Sequence, residues 1–369
     1  MKVLQILPAL NSGGVERGTV DFARELVKAG HQSLVMSSGG VMVDQLEAQG
    51  TSHIHFPVHQ KSLKSLFLVR SLRRLLLQLD VDVIHVRSRV PAWMTWLAIK
   101  KLPAGQRPAL VSTFHGLYST NAYSAVMGRG DQVIAISQCV YDYIIENYPA
   151  VNRDKITLIH RGVDTEQFNT HFTVDSQWLQ DFNQQNPQCQ DKPLLLMPGR
   201  LSRWKGQLQF IELIDQLVES KTACHGVIVG GPQPGKEAYL QELQDEVQRR
   251  QLTEHISFLG HRSDIANIYS QSAIVFNLSQ HAEPFGRTVI EALAMGVPVV
   301  SYDYGGPAES LRACFPQGLV PLGDQQALIN TVKSVMTSKT KITLAEGFTL
   351  QRQTQATLDV YQRALEARH

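Results

Sequence analysis

Cysteine is scarce, charge is close to balanced, and no apolar run is long. Cys139, Cys189, Cys224 and Cys314 lie far apart in a chain of 369 residues, with no CxxC pair and no histidine at metal-ligand spacing. That spacing argues against a disulfide framework and against a zinc site, and no metal is expected. Reduced thiols in a cytoplasmic protein are the simplest reading. The formal net charge of +2 is too small to point to nucleic acid. No uninterrupted apolar stretch approaches the roughly 18 residues of a membrane span. The apolar start, residues 1–10, is interrupted by Gln5, lacks a small-residue cleavage site and ends at Asn11-Ser12-Gly13-Gly14. It reads as a first strand rather than a signal peptide.

What is present is an alternation. Apolar runs at 3–7, 32–37, 53–56, 83–87, 109–114, 133–137 and 156–160 read as strands. Amphipathic segments at 15–29, 62–79 and 91–101 lie between several of them. Such alternation predicts βαβ units and a parallel sheet covered on both faces. A Gln-, Asn- and Asp-rich stretch at 170–192 breaks the rhythm, with a lead-in helix near 174–183. The rhythm restarts with strands at 194–197, 226–229, 256–259, 273–278 and 297–301, and helices at 207–220, 236–251, 264–270 and 287–295. The expectation is two Rossmann-like, doubly wound α/β domains facing each other across a cleft. Their bounds are 1–168 and 169–348, followed by a C-terminal helix in 349–369 that packs back on the first domain.

Three loops carry the chemistry. The segment Glu283-Pro-Phe-Gly-Arg-Thr-Val-Ile-Glu291 runs from a strand into a helix that stops at Gly296. A glycine at a helix N-terminus leaves N–H groups free, near Phe285, Gly286, Arg287 and Thr288, to take phosphate or sugar oxygens. Glu291 sits among Val289, Ile290, Ala292 and Leu293, so its carboxylate needs partners. The second loop, Pro198-Gly-Arg200-Leu-Ser-Arg203-Trp-Lys205-Gly206, places three cations after a strand. Arg engages a diphosphate bidentately and Lys acts as a point charge, although cations are also common in solvated loops. The third loop, ending in Gly13-Gly14, is neither GxGxxG nor a Walker motif, and serves equally as a phosphate loop or a tight turn. His115 ends a strand in Phe114-His115-Gly116, where side chains face the ligand edge, and Arg87-Ser88-Arg89 follows another strand.

Two segments look functional and are read otherwise. Asp80-Val81-Asp82 has the DxD pattern of metal-binding carboxylates, but it precedes a strand and reads as a solvated turn. Gly230-Gly231-Pro232 follows a strand as well and reads as a loop at the ligand edge rather than a dinucleotide fingerprint.

With these motifs in hand, the chain resembles the retaining glycosyltransferases of family 4, which have the GT-B fold. The likeness spans nearly the whole chain. It rests on the E-x7-E pair Glu283 and Glu291, Gly199-Arg200 with Lys205-Gly206, Gly13-Gly14, and Arg161-Gly162-Val163-Asp164. Arg87–Trp93 and Phe114–Tyr118 look like a bacterial subgroup that assembles lipopolysaccharide or other surface polysaccharide. Many members carry Asn where Arg161 stands, and often Gly where this chain has Pro284. Those departures bear on the donor sugar. The resemblance implies that Arg200 and Lys205 bind the donor diphosphate and that Glu291 binds ribose. Glu283 with the backbone of 285–287 would hold the donor sugar and distal phosphate, Gly14 would contact phosphate, and His115 would reach the sugar. The nucleotide sugar is then a co-substrate, no cofactor or metal is expected, and the acceptor is a glycan or lipid-linked sugar.

The alternatives are a GT-B enzyme of other nucleotide-sugar chemistry, such as an epimerase, or an inactive scaffold. A glycosidase using Glu283 and Glu291 is disfavoured because one of the two lies in a helix. Residues 61–77 and 91–101 form basic, amphipathic helical patterns with Trp93 and Trp96, which suit reversible docking on an anionic membrane as well as plain sheet cover. A cytoplasmic protein at the inner face of the bacterial plasma membrane is therefore expected.

Overall fold

The computed structural model of the chain describes residues 1–11, 13–59, 65–232, 235–338 and 340–368. Ser12 of the first glycine loop and residues 61–64 of the basic segment lie outside the described residues. The chain forms two compact units, Met1–Gly162 with Leu350–His369, and Val163–Thr349. The units part at Gly162, ahead of the expected boundary at 168.

The first unit runs β1 (Lys2–Ile6), α1 (Gly14–Lys28), β2 (Gln32–Ser37), α2 (Val43–Ala48), β3 (Ser52–His55), α3 (Ser65–Leu79) and β4 (Val83–Val86). It continues with α4 (Arg89–Ile99), β5 (Ala109–Phe114), β6 (Gln132–Ala135), α5 (Gln138–Asn147) and β7 (Ile156–Leu158). The sheet order is β3-β2-β1-β4-β5-β6-β7, and every pair is parallel. Strands β4 and β5 are buried at every position, as apolar runs with both faces covered must be. The strand order reverses between β1 and β4, which makes the carboxyl ends of those two strands the switch point where ligands bind in such sheets.

The amphipathic stripe of α1 buries Phe22, Ala23 and Leu26. Phe22 and Leu26 join Val3, Val83, Ala109, Val111, Ile134 and Ile159 in one core cluster. The last helix of the chain, described below, completes that cluster. The Asp80–Asp82 segment is a turn, as its place before β4 suggested. Asp80 takes a left-handed φ of 45°, both aspartates are exposed, and the Asp82 carboxylate accepts the Lys2 N–H at 2.7 Å.

The second unit runs α6 (Ser176–Gln185), β8 (Leu194–Pro198), α7 (Gln207–Glu219), β9 (His225–Val229), α8 (Ala238–Arg249) and β10 (Ile256–Gly260). It continues with α9 (Ile265–Ser270), β11 (Ser272–Asn277), α10 (Arg287–Ala294), β12 (Val299–Tyr302), α11 (Gly305–Cys314), β13 (Leu319–Val320) and α12 (Gln325–Thr337). Its parallel sheet has the order β10-β9-β8-β11-β12-β13, with the reversal between β8 and β11. Strand β12 starts later than expected because Pro298 has no N–H to give, although its carbonyl still accepts from Val275.

Helix α13 (Leu350–Glu366) belongs to the first unit, where Val360, Tyr361 and Ala364 complete the core cluster. Among the described residues no helix is long and apolar enough to cross a membrane.

Candidate active site

The switch point of the second sheet is built by two loops, one after β8 and one after β11. Gly206 sits at φ 88°, and a Cβ there would stand 2.1 Å from the Leu278 carbonyl oxygen, so only glycine lets the first loop lie against the second. The Gln280 N–H donates to the Trp204 carbonyl at 2.7 Å and fastens the same two loops. Lys205 is thereby brought to Glu283, Nζ to Oε1 at 2.7 Å.

Glu283 is 8% exposed. Its Oε1 also accepts from Asn277 Nδ2 at 3.1 Å and from the Ser279 hydroxyl. Three donors thus converge on one oxygen, while Oε2 has no partner among the described residues. The backbone of the loop is pinned from the far side, where the Gly306 N–H donates to the Glu283 carbonyl at 2.8 Å. A Cβ on Gly306 would come within 2.6 Å of the Pro284 carbonyl oxygen, so the glycine permits this approach.

Gly286 caps α10 without any side-chain acceptor for the first turn. The leading N–H groups of α10 therefore have no partner within the helix. The Phe285 ring is buried beside Phe348, which leaves its backbone as the part that can meet a ligand. Thr288 is half-buried in the first turn. Glu291, one turn on, is also 8% exposed. Its oxygens are shared between Arg287 Nη2 at 3.1 Å and the Tyr269 hydroxyl at 3.1 Å. Burial and the Glu291 charge push the Tyr269 phenol well above its usual range, so it stays protonated and donates.

The three cations of the Arg200–Lys205 loop have separate fates. Arg203 is exposed and forks onto the Glu242 carboxylate over the Tyr239 ring. Lys205 lies over the Trp204 ring and meets Glu283. Arg200 is exposed, and its side chain has no partner among the described residues.

In the first unit, Gly13 and Gly14 open α1, and the Gly14 carbonyl accepts from Arg161. His115 follows β5 with both ring nitrogens out of solvent and without a hydrogen-bond partner. Burial, then the charges of Arg161 and Arg87, holds its pKa well below the usual value, so the ring is neutral at pH 7. The structure thus gathers Lys205, Glu283, Phe285, Gly286, Arg287, Thr288 and Glu291 around the end of one sheet. Gly13, Gly14 and His115 lie at the end of the other. Among the described residues no group of three or more His, Cys, Asp or Glu is placed to hold a metal ion.

Comparison with known proteins bears on both halves. Residues 12–167 match the profile of Glycosyltransferase Family 4, and residues 180–346 match that of Glycosyl transferases group 1. These are glycosyltransferase domains of the GT-B type. The fold of a glycosyltransferase from Rickettsia africae superposes with a TM-score of 0.86 at 29% identity, covering 99% of this chain and 98% of that one. The Anabaena protein Alr3699/HepE, solved in complex with UDP-glucose, has the same fold at 23% identity and a TM-score of 0.76, covering 100% of this chain and 99% of that one. The lipopolysaccharide core biosynthesis mannosyltransferase LpsB of Rhizobium meliloti is 26% identical over 198 residues, which is 53% of this chain and 55% of that protein. The chain spans 62% of the length of a further curated relative.

Within the group 1 glycosyltransferase domain, sequence reasoning missed Asn277, Ser279, Tyr269 and the Gly305-Gly306 pair. The first three are ordinary polar residues, and only their place after a strand or opposite α10 gives them work. Gly305-Gly306-Pro307 is legible as a special backbone, but nothing local says that it abuts Glu283.

Proposed function

We propose that the chain is a retaining glycosyltransferase that moves a sugar from a nucleotide-sugar donor to a glycan or lipid-linked acceptor. The observation that carries this reading is the division of labour at Glu283. Oε1 is saturated by Lys205, Asn277 and Ser279, which fixes the carboxylate, and Oε2 is left to accept a sugar hydroxyl. Beside it stand the leading N–H groups of α10 and the cations Lys205 and Arg200. As the glycosidic bond breaks, negative charge grows on the departing diphosphate, and preorganised donors of this kind stabilise it. In front-face transfer the departing phosphate takes the acceptor proton, so no separate protein base is needed. The same positive charges do the work that a metal ion would otherwise do.

That a protein of this fold binds UDP-glucose makes UDP-sugars the first donors to try. A role in lipopolysaccharide or surface-polysaccharide assembly draws support from the LpsB relative and from the motifs at 87–93 and 114–118. We place the protein in the cytoplasm, docking reversibly on the inner face of the plasma membrane.

A calorimetric screen of UDP-, GDP- and ADP-sugars tests the donor. Product anomer by NMR tests retention, and turnover in EDTA tests metal independence. The expected outcome is one preferred nucleotide, a retained anomer and undiminished turnover in EDTA. An inverted product, or activity lost on chelation and restored by Mg²⁺ or Mn²⁺, overturns the corresponding part. Binding of no nucleotide sugar overturns the whole.

A further inference from the structure

A second charged site lies in the first unit, at the carboxyl ends of β4, β5, β6 and β7 and against α1 and α13. Arg87 follows β4 and is 4% exposed. Its Nε donates to Gln5 Oε1 at 2.8 Å, and its guanidinium carbon lies 5.5 Å from the centre of the Phe22 ring. Burial lowers its pKa only to about 10, so it is charged at pH 7. A cavity of about 20 Å³ opens beside it, lined by Arg87, His115, Arg161, Gly18, Gln353 and Thr357 among others. No Asp or Glu lines that cavity among the described residues.

An ionised group this deep is costly unless a counter-charge accompanies it. Gln5 is neutral, and the other polar groups nearby are occupied. His85 is held between the Tyr361 hydroxyl and Thr113 Oγ1, both at 2.6 Å, and Thr357 donates to the Gln353 carbonyl at 2.7 Å. His115 is different, since both of its buried ring nitrogens are unpartnered. A neutral imidazole offers one N–H donor beside the two guanidinium groups. The volume admits an oxygen or two and excludes a sugar ring, since one water alone needs roughly 10–15 Å³.

We propose that the cavity walled by Arg87, His115 and Arg161 seats an oxyanion, a carboxylate or phosphate group, carried by the acceptor. The cations suited to the donor diphosphate stand in the other unit, on the Arg200–Lys205 loop. A separately built anion site needs a second anion, and the acceptor is the remaining substrate. That last step rests on the transferase reading, whereas the anion site itself does not.

The test is thermal unfolding at constant ionic strength, with chloride replaced by inorganic phosphate or by acetate. It uses the wild-type chain, R87Q, R161Q and K205A. Phosphate or acetate should raise the wild-type and K205A midpoints by about 2–4 °C at a roughly tenfold excess over Kd. The acetate shift should vanish in R87Q and shrink in R161Q, and the phosphate shift should fall further in these two variants than in K205A. A response to phosphate alone assigns a phosphoryl group, and a response to acetate a carboxylate. If R87Q does not fold, R161Q decides. No wild-type response to either anion overturns the proposal. So does a response lost in K205A but kept in R87Q and R161Q, because the anion then binds in the other unit. Nucleotide-sugar turnover plays no part in the readout, so failure here leaves the donor assignment standing, and the reverse holds too.

Discussion

Lys205 and Glu283 meet at 2.7 Å although they come from loops that follow two different strands of one sheet. Both side chains are largely buried, which separates this pair from surface ion pairs of about 0–1 kcal/mol. Removing one partner leaves the other charge in a poorly solvated place, at a cost of about 3–5 kcal/mol in comparable settings.

The first prediction follows from that pair. Lys205→Ala should lower turnover at least tenfold, and by up to the ~10²–10³ seen when one preorganised donor is lost. Glu283→Gln should also lose activity. The double variant should be less impaired than the product of the single effects, since the two residues act as one unit. Steady-state kinetics on the four proteins measure this, and strictly multiplicative effects would show that the pair is incidental.

Glu291 should behave differently. Glu291→Gln keeps an acceptor for the Tyr269 hydroxyl but loses the charge that holds Arg287. We expect KM for the donor to rise several-fold with kcat changed less. A change in kcat alone would place Glu291 with the reacting atoms instead of the nucleotide.

Membrane docking should depend on α3. Phe67 is 73% exposed and Leu77 44% exposed, with Arg70 and Arg74 exposed on the same helix. Arg73 is partly spent on the Ala98 carbonyl, and the Trp93 and Trp96 rings carry Arg129. The tryptophans are therefore engaged within the fold. Phe67→Ser with Arg70→Gln and Arg74→Gln should abolish co-sedimentation with anionic vesicles at low salt. If the wild-type chain itself stays in the supernatant at low salt, α3 is sheet cover only.

Acid should weaken the second unit through His225. This side chain is fully buried, its Nε2 pairs with Ser257 Oγ at 2.9 Å, and burial lowers its pKa to about 4. The unfolded chain takes up the proton near pH 6.5 and the folded chain does not until about pH 4. Stability is thus full above the unfolded value and falls as pH drops through that window, by at most about 1.4 kcal/mol per pH unit for one such group. His85 and His115, lowered in the same direction by burial, act likewise on the first unit. Urea midpoints at pH 7.5 and 5 should differ less in His225→Asn than in the wild type. Equal differences in the two proteins would exclude the assignment.

The sheets were legible because parallel strands buried on both faces leave apolar runs, unbroken in Leu194–Pro198 and interrupted only by Ser112 and Thr113 in Ala109–Phe114. Helices α11 and α12 and the two-residue β13 were not. Strand β13 is too short for a pattern, and α11 begins with Gly-Gly-Pro, which reads as a turn. At the site, Glu283, Lys205 and Glu291 stood out because a charged residue in apolar or glycine-rich company asks for a reason. The saturation of a single Glu283 oxygen could not be read, because it depends on Asn277 and Ser279 turning toward a lysine from a distant loop. Arg87 showed its charge in the sequence but not its depth.

The position of α13 has a consequence for synthesis on the ribosome. Val360, Tyr361 and Ala364 close the core that β1, α1, β4 and β5 begin, and Tyr361 supplies the hydroxyl that satisfies buried His85. The N-terminal half thus emerges first but finishes last. The second unit, contiguous from Val163 to Thr349, can settle while its predecessor still waits for its final helix. A stop codon shortly after residue 349 would therefore injure the part of the protein made earliest. Val3 and Val83 would be left facing water, and His85 would lack its phenol.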